Sequence, residues 1–206
     1  DEGEIVEKHK FTEIQYIFWR NSKINFNNKQ SLIKSLDEKP NKDWIKRISE
    51  CEDEKVLKYF LNDKHNINID DNSENLRIIW ECCQIPDFVK KTYGNHIEVI
   101  NKVFKFLTGK TKKISNQYMK EQLSVLDKLD GNVDSLSNRI ANVRTWAYVS
   151  NKSNWVENQD YWIERTKHLE DKLSDRLHEE LTKTFIDKRA SVLAKGLKQD
   201  ILFDTE

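Results

Sequence analysis

Apolar residues in this chain recur mostly at three- and four-residue intervals, the spacing that places side chains on one face of an α-helix. In "NHIEVINKVFKFL" (95–107) they fall at Ile97, Ile100, Val103, Phe104 and Leu107. "VDSLSNRIANVRTWAYVS" (133–150) sets Leu136, Ile140, Val143, Trp146 and Ala147 towards one side. The longest ladder is Leu169, Leu173, Leu177, Leu181 and Phe185, in "DYWIERTKHLEDKLSDRLHEELTKTFIDKRASVLAKGLKQ" (160–199), with opposite charges on the outer faces. Shorter helices are expected over 28–39, stopped by Pro40, and over 74–85, capped by Ser73 and ended before Pro86. Another spans 115–129, with Ser115 as its cap and Asp130-Gly131 as its stop.

The stretch 42–63, with Trp44, Ile45, Ile48, Val56, Leu57, Phe60 and Leu61, predicts one or two further helices. "FTEIQYIFWRNSKINF" (11–26) is dense in aromatics and reads as a short helix followed by an extended segment, after ten charged, loosely held residues. The expected fold class is therefore all-α: an irregular multi-helix bundle with a long C-terminal helix and a short extended segment near the N-terminus. The polar loop "KHNINIDDN" (64–72) divides it into an N-terminal helical sub-domain, 1–70, and a C-terminal helical bundle, 71–206. No internal repeat appears at solenoid periods.

Composition agrees with helices. Five Gly and two Pro in 206 residues leave too few turn signals for a sandwich or barrel. Six Trp and 37% hydrophobic residues support a packed interior despite 34% charged residues. The formal net charge is zero, which excludes coating nucleic acid by bulk charge and leaves only local clusters. The abundance of Lys, Asn and Ile receives no functional weight. Cys51, Cys82 and Cys83 lack Cys-x-x-Cys spacing and read as reduced thiols in a cytosol-like compartment. No apolar run approaches membrane-spanning length, and the acidic start, "DEGEIVEKHK", is unlike a signal peptide. An initial Asp rather than Met reads as processing, or as a piece of a longer protein.

Candidate chemistry is sparse. Gly109-Lys110-Thr111 ends like a P-loop, but Phe104 stands where its first glycine is required and a helical pattern precedes it. Gly109 reads instead as a left-handed helix C-cap. His9, His65, His96, His168 and His178 show no metal spacing; after His178-Glu179-Glu180 position 182 is Thr, so the zincin pattern fails. Asp70-Asp71 lacks the pattern of a calcium loop. No catalytic residue and no metal ligand is expected.

Two clusters suit nucleic acid. Lys102, Lys105, Lys110, Lys112 and Lys113 lie in a stretch, 99–120, without an acidic residue, and either neutralise phosphates while Phe106 packs or stacks, or form a solubilising face whose cations favour a helix C-terminus. Arg139, Arg144 and Arg165 alternate with Trp146, Tyr148, Trp155 and Trp162, an arrangement suited to stacking on a single strand. Helical spacing also predicts that Trp146 and Trp162 are buried.

Four stretches, "FWRNSKINFNNKQSLIKSL" (18–36), "LRIIWECCQIPDF" (76–88), "LDGNVDSLSNRIANVRTWAYVSNKSNW" (129–155) and "WIERTKHLEDKLSDRLHEELTKTFIDKRASVLAK" (162–195), carry a resemblance over more than half the chain. Together they resemble the region C-terminal to the motor in alphaproteobacterial superfamily-two helicases, relatives of the mitochondrial degradosome RNA helicase. The resemblance implies a non-catalytic accessory region of an ATP-dependent RNA helicase. Such a region packs on two RecA-like motor lobes and helps enclose the path of single-stranded RNA, or DNA. ATP and Mg belong to the parent's lobes; this chain has no complete P-loop and no Asp-Glu-x-His/Asp box. The site residues expected are Lys102, Lys105, Lys110, Lys112, Lys113, Arg139 and Arg144, in a bacterial cytoplasm or a mitochondrial matrix, with no membrane partner. The competing expectation is a helical adaptor whose helix 162–195 recruits a protein such as a ribonuclease.

Overall fold

A computed structural model describes residues 16–62, 69–90 and 92–203. Expectations for 1–15 and for 63–68, including His9 and His65, lie outside the described residues. Among those described, helix predominates, with one two-stranded sheet. The chain divides into two compact units, Asp1–Gln84 and Ile85–Glu206. The division falls beyond the break expected after residue 70, because the helix over 73–83 packs on the helix before it.

The N-terminal unit contains β1 (Ile17–Trp19), α1 (Lys29–Leu36), β2 (Ile45–Arg47), α2 (Glu52–Leu61) and α3 (Ser73–Cys83). β1 and β2 are parallel, in register Ile17 to Ile45, Phe18 to Lys46 and Trp19 to Arg47. Parallel neighbours need a crossover, and α1 supplies it, giving a minimal βαβ unit. This corrects the helical reading of 42–48: Trp44, Ile45 and Ile48 fit one helical turn, but Ile17 N–H donates to the Trp44 carbonyl (3.2 Å) and Ile48 N–H to that of Trp19 (2.9 Å). The helical expectation for the first part of 11–26 meets β1 in the same way. Tyr16, Phe18 and Trp44 are exposed.

Helix starts in this unit follow short polar side chains. Asn28 accepts from Ser31 N–H and Asn72 from Asn75 N–H, both at 2.8 Å. The cap of α3 is thus Asn72, and Ser73 is its first helical residue. α2 has no side-chain cap but carries Glu52, Asp53 and Glu54 in its first turn, where carboxylates complement the helix dipole. Leu32, Leu57, Phe60, Leu76 and Ile79 are fully buried.

Cys82 and Cys83 are buried on α3, whereas Cys51 is partly exposed. Burial pushes the Cys83 thiol well above the usual range, so it carries little thiolate. An aromatic disulfide reagent should therefore label one thiol, Cys51, rapidly in the native chain and all three in denaturant. Fast labelling of Cys82 or Cys83 under native conditions would contradict this packing.

The C-terminal unit contains α4 (Tyr93–Leu107), α5 (Asn116–Leu126), α6 (Val133–Asn151) and α7 (Gln159–Phe203). Thr92, Ser115 and Asn132 cap the first three of these, each accepting from a backbone N–H three residues on. Ser115 is the cap expected from sequence. α4 starts at Tyr93, two residues before the apolar pattern read over 95–107, and includes Gly94. Between α5 and α6, Gly131 holds φ at +114°, a conformation that disfavours a side chain.

α7 turns back along α6, and this pair is the most extensive packing in the unit. Leu136, Val143, Trp146 and Val149 of α6 are buried, as are Trp162, Thr166, Leu169 and Leu173 of α7. The Leu169–Phe185 ladder is therefore core only in its first half: Leu181 is 47% exposed and Phe185 60%. No described helix is long and apolar enough to cross a membrane.

Candidate nucleic-acid interface

The acid-free stretch 99–120 spans the second half of α4, the connecting loop and the first turn of α5. Lys102 lies on α4 and pairs with Glu98 at 2.8 Å, so part of its charge is already met. Hydrogen bonding to Glu98 raises its pKa. Lys105 and Lys110 are exposed and Lys113 is half-buried; none of the three forms an ion pair with a described residue. Lys112 is exposed with φ +51°. The left-handed position expected of Gly109 thus falls on Lys112. Gly109 answers a different need: a Cβ there would stand 3.0 Å from the Lys105 carbonyl oxygen and 3.3 Å from that of Phe106.

The loop is held rather than free. Ile114, fully buried, bridges to Val156. Its N–H donates to the Trp155 carbonyl (2.8 Å), and its own carbonyl accepts from Glu157 N–H (3.1 Å). The Glu157 carboxylate then accepts from Asn116 N–H at 2.9 Å. This lashing sets the lysine loop beside the α6–α7 connection, where the Lys152 ammonium lies 5.1 Å from the Tyr148 ring centroid and 5.9 Å from that of Trp155. Asn154 and Asn158 adopt left-handed conformations in that connection, which Asn tolerates better than most residues. Phe106 packs on Tyr118 at 4.8 Å, and Tyr118 on Trp146 at 5.8 Å, so Phe106 belongs to the packing between helices.

The arginine-and-aromatic set is not brought together as a stacking surface. Trp146, Trp155 and Trp162 are all buried, which agrees with the helical spacing for the first and last. Arg139 instead staples the α5–α6 turn, donating to the Lys128 carbonyl (2.8 Å) and to that of Asp130. Arg144 donates to Glu170 at 2.7 Å, tying α6 to α7, with about half of its side chain still in solvent. Arg165 (2.7 Å) and Lys172 (2.9 Å) both bind Asp127. Hydrogen bonding to Lys172, then to Arg165, outweighs desolvation and lowers the Asp127 pKa. The tie stays intact above the usual carboxylate range and is lost as pH falls through this depressed value.

Lys152 and Tyr161 were not singled out by the sequence. Tyr161 is 58% exposed, and its alternation with buried Trp162 is the one signal that distinguishes the two rings. Among the described residues no group of three His, Cys, Asp or Glu is placed to hold a metal ion. Thr182 donates to the His178 carbonyl at 2.9 Å, an ordinary helix turn. No match was found to any family model, curated protein or solved structure.

Proposed function

We propose that this chain is a non-catalytic accessory region that holds single-stranded nucleic acid, RNA foremost, beside the motor lobes of an ATP-dependent helicase. The observation that carries the reading is the lysine loop. Lys105, at the end of α4, and Lys110 and Lys113, on the loop lashed at Ile114, form no ion pair with a described residue and lie in a stretch without a carboxylate. Unpaired cations on a fixed loop bind phosphates without reading sequence. The parent's lobes would supply ATP and Mg; this region would contribute a wall along which the strand leaves. Arg139 and Arg144 support that wall rather than touch the strand, since each is already committed to a protein acceptor.

Three phosphate contacts on a single strand give a log–log salt slope of about −2, so affinity should fall about 20-fold between roughly 50 and 200 mM salt. Fluorescence anisotropy of a labelled single-stranded RNA, titrated with this chain at both salts, measures it. The triple variant Lys105→Ala/Lys110→Ala/Lys113→Ala should weaken binding and flatten the slope. An unchanged slope in that variant, or no RNA binding at either salt, would refute the reading.

A second reading rests on a different observation. Leu181, Phe185 and Ile186 are exposed on α7, which suits a helical adaptor for a protein such as a ribonuclease. Binding there would be apolar and only mildly salt-dependent.

A further inference from the structure

α5 and the first turns of α7 enclose an open cleft of about 660 Å³, within the size range of sites that hold small ligands. Tyr161 stands at its edge. A large aromatic side chain left 58% exposed while its neighbour Trp162 is buried presents a ring to solvent. That ring is held in place: it packs edge-on against Trp162 at 4.8 Å and 78°, and Trp162 Nε1 donates to Asn116 Oδ1 at 2.8 Å. The platform is therefore ordered without a ligand, which reduces the entropic cost of stacking on it.

The remaining lining defines what stacks there. With Asn116 Oδ1 taken by Trp162, the amide Nδ2 remains as a donor. With Gln117 Nε2 given to Glu121 at 2.7 Å, Gln117 Oε1 remains as an acceptor. Adjacent amide donors and acceptors match the edge of a nucleobase. Lys120 is exposed and forms no ion pair with a described residue. The single carboxylate of the lining, Asp127, is held by Arg165 and Lys172, so it adds little repulsion to a phosphate. The cleft is also continuous with the lysine loop: Lys113 leads through Ile114 and Ser115 directly into Asn116.

We propose that this cleft is a base-stacking subsite, in which Tyr161 stacks one base of a single strand whose phosphates lie on Lys110 and Lys113. The inference rests on the single-strand reading given above and extends it from phosphate holding to contact with a base. Tyr161 is the platform, Lys120 meets the adjoining phosphate, and the Asn116 and Gln117 amides meet the base edge. Stacking of this kind tolerates any base, because every base has a π face.

The test compares a labelled oligouridylate with an abasic oligomer of the same length, each titrated at about 50 mM salt. Wild-type chain should bind the base-bearing oligomer tighter by about fivefold or more, the range expected for one stacked base. Tyr161→Ala should erase that preference and leave the salt slope intact, whereas Tyr161→Phe should retain it. The triple lysine variant should behave oppositely, keeping the preference while losing most of the slope, since Lys120 retains one phosphate contact. Equal affinity for the two oligomers, or a preference that survives Tyr161→Ala, overturns the subsite and leaves the phosphate-holding loop standing. Failure of both oligomers to bind at any salt overturns both. An unchanged thermal melt of Tyr161→Ala checks that the packing on Trp162 has not been lost.

Discussion

Replacing Glu54 with Ala should lower the stability of the N-terminal unit by about 3–5 kcal/mol, the range measured when one partner of a buried ion pair is removed. Glu54 is 1% exposed and lies between two arginines: Arg47 Nη2 donates to Oε2 at 2.7 Å, and Arg20 Nε approaches Oε1 at 3.4 Å. Each arginine has further duties. Arg47 Nε donates to the Leu36 carbonyl (3.0 Å) and Nη2 to Asp37 (3.1 Å), joining β2 to the end of α1. Arg20 follows β1, pairs with Asp53 at 2.9 Å, and lays its guanidinium 5.0 Å from the centroid of the Trp80 ring on α3. One carboxylate on α2 thereby connects the βαβ unit to both helices that follow it. Its loss leaves two guanidinium groups beside each other with no shared counter-charge, and Arg20 Nη2 already lacks a hydrogen-bond partner among the described residues. Against a typical stability of about 5–15 kcal/mol, that loss is a large fraction of the total. Glu54→Gln, which keeps an acceptor but not the charge, should fall between wild type and Glu54→Ala. Urea denaturation followed by tryptophan fluorescence measures the change; a loss below about 1 kcal/mol would show that solvent already carries the arginine charges.

This cluster was invisible in the sequence, where Glu52, Asp53 and Glu54 look like one acidic helix start. Only the pairing of β1 with β2 brings Arg20 and Arg47 to the same carboxylate, and neither strand carries enough residues to announce itself. Ile45-Lys46-Arg47 offers a single alternation, and its neighbours Trp44 and Ile48 also fit a helical turn, so local pattern favours the wrong element. The helices of the C-terminal unit were legible because their apolar spacing runs over several turns and Ser115 stands where a cap belongs. Asparagine, set aside as compositional bias, caps three helices at Asn28, Asn72 and Asn132. At the candidate site, Lys105, Lys110 and Lys113, which form no ion pair with a described residue, were legible as a group because no carboxylate stands between 99 and 120. The commitments of Arg139 and Arg144 were not, since their acceptors are the Lys128 and Asp130 carbonyls and a carboxylate 26 residues on.

Leu173→Ala and Leu181→Ala should differ sharply, although the two residues occupy equivalent rungs of one ladder. Leu173 is fully buried, and truncation there removes packing and leaves a cavity, at a cost of about 2–5 kcal/mol. Leu181→Ala and Phe185→Ala should each change stability by less than about 0.5 kcal/mol. Two physical facts separate the rungs. A strict four-residue repeat advances about 40° around the helix per step, so Phe185 has turned about 160° away from the direction of Leu169. The partner helix also ends: α6, of 19 residues, is about 28 Å long, whereas α7, of 45, is about 68 Å. At Arg176, whose Nε donates to the Leu129 carbonyl before α6 begins, α7 reaches the end of its partner. Beyond it, residues 181–191 are exposed except for half-buried Thr184. That bare segment is held by its helical hydrogen bonds and by continuity with the packed turns, with the Arg189 guanidinium 5.4 Å from the Phe185 ring centroid, since an isolated helix gains little without a buried face. Thermal melts of the three variants decide the matter. A large loss in Leu181→Ala would mean that the outer half of α7 is covered in solution, which is what the adaptor reading requires of a bound partner or a second copy.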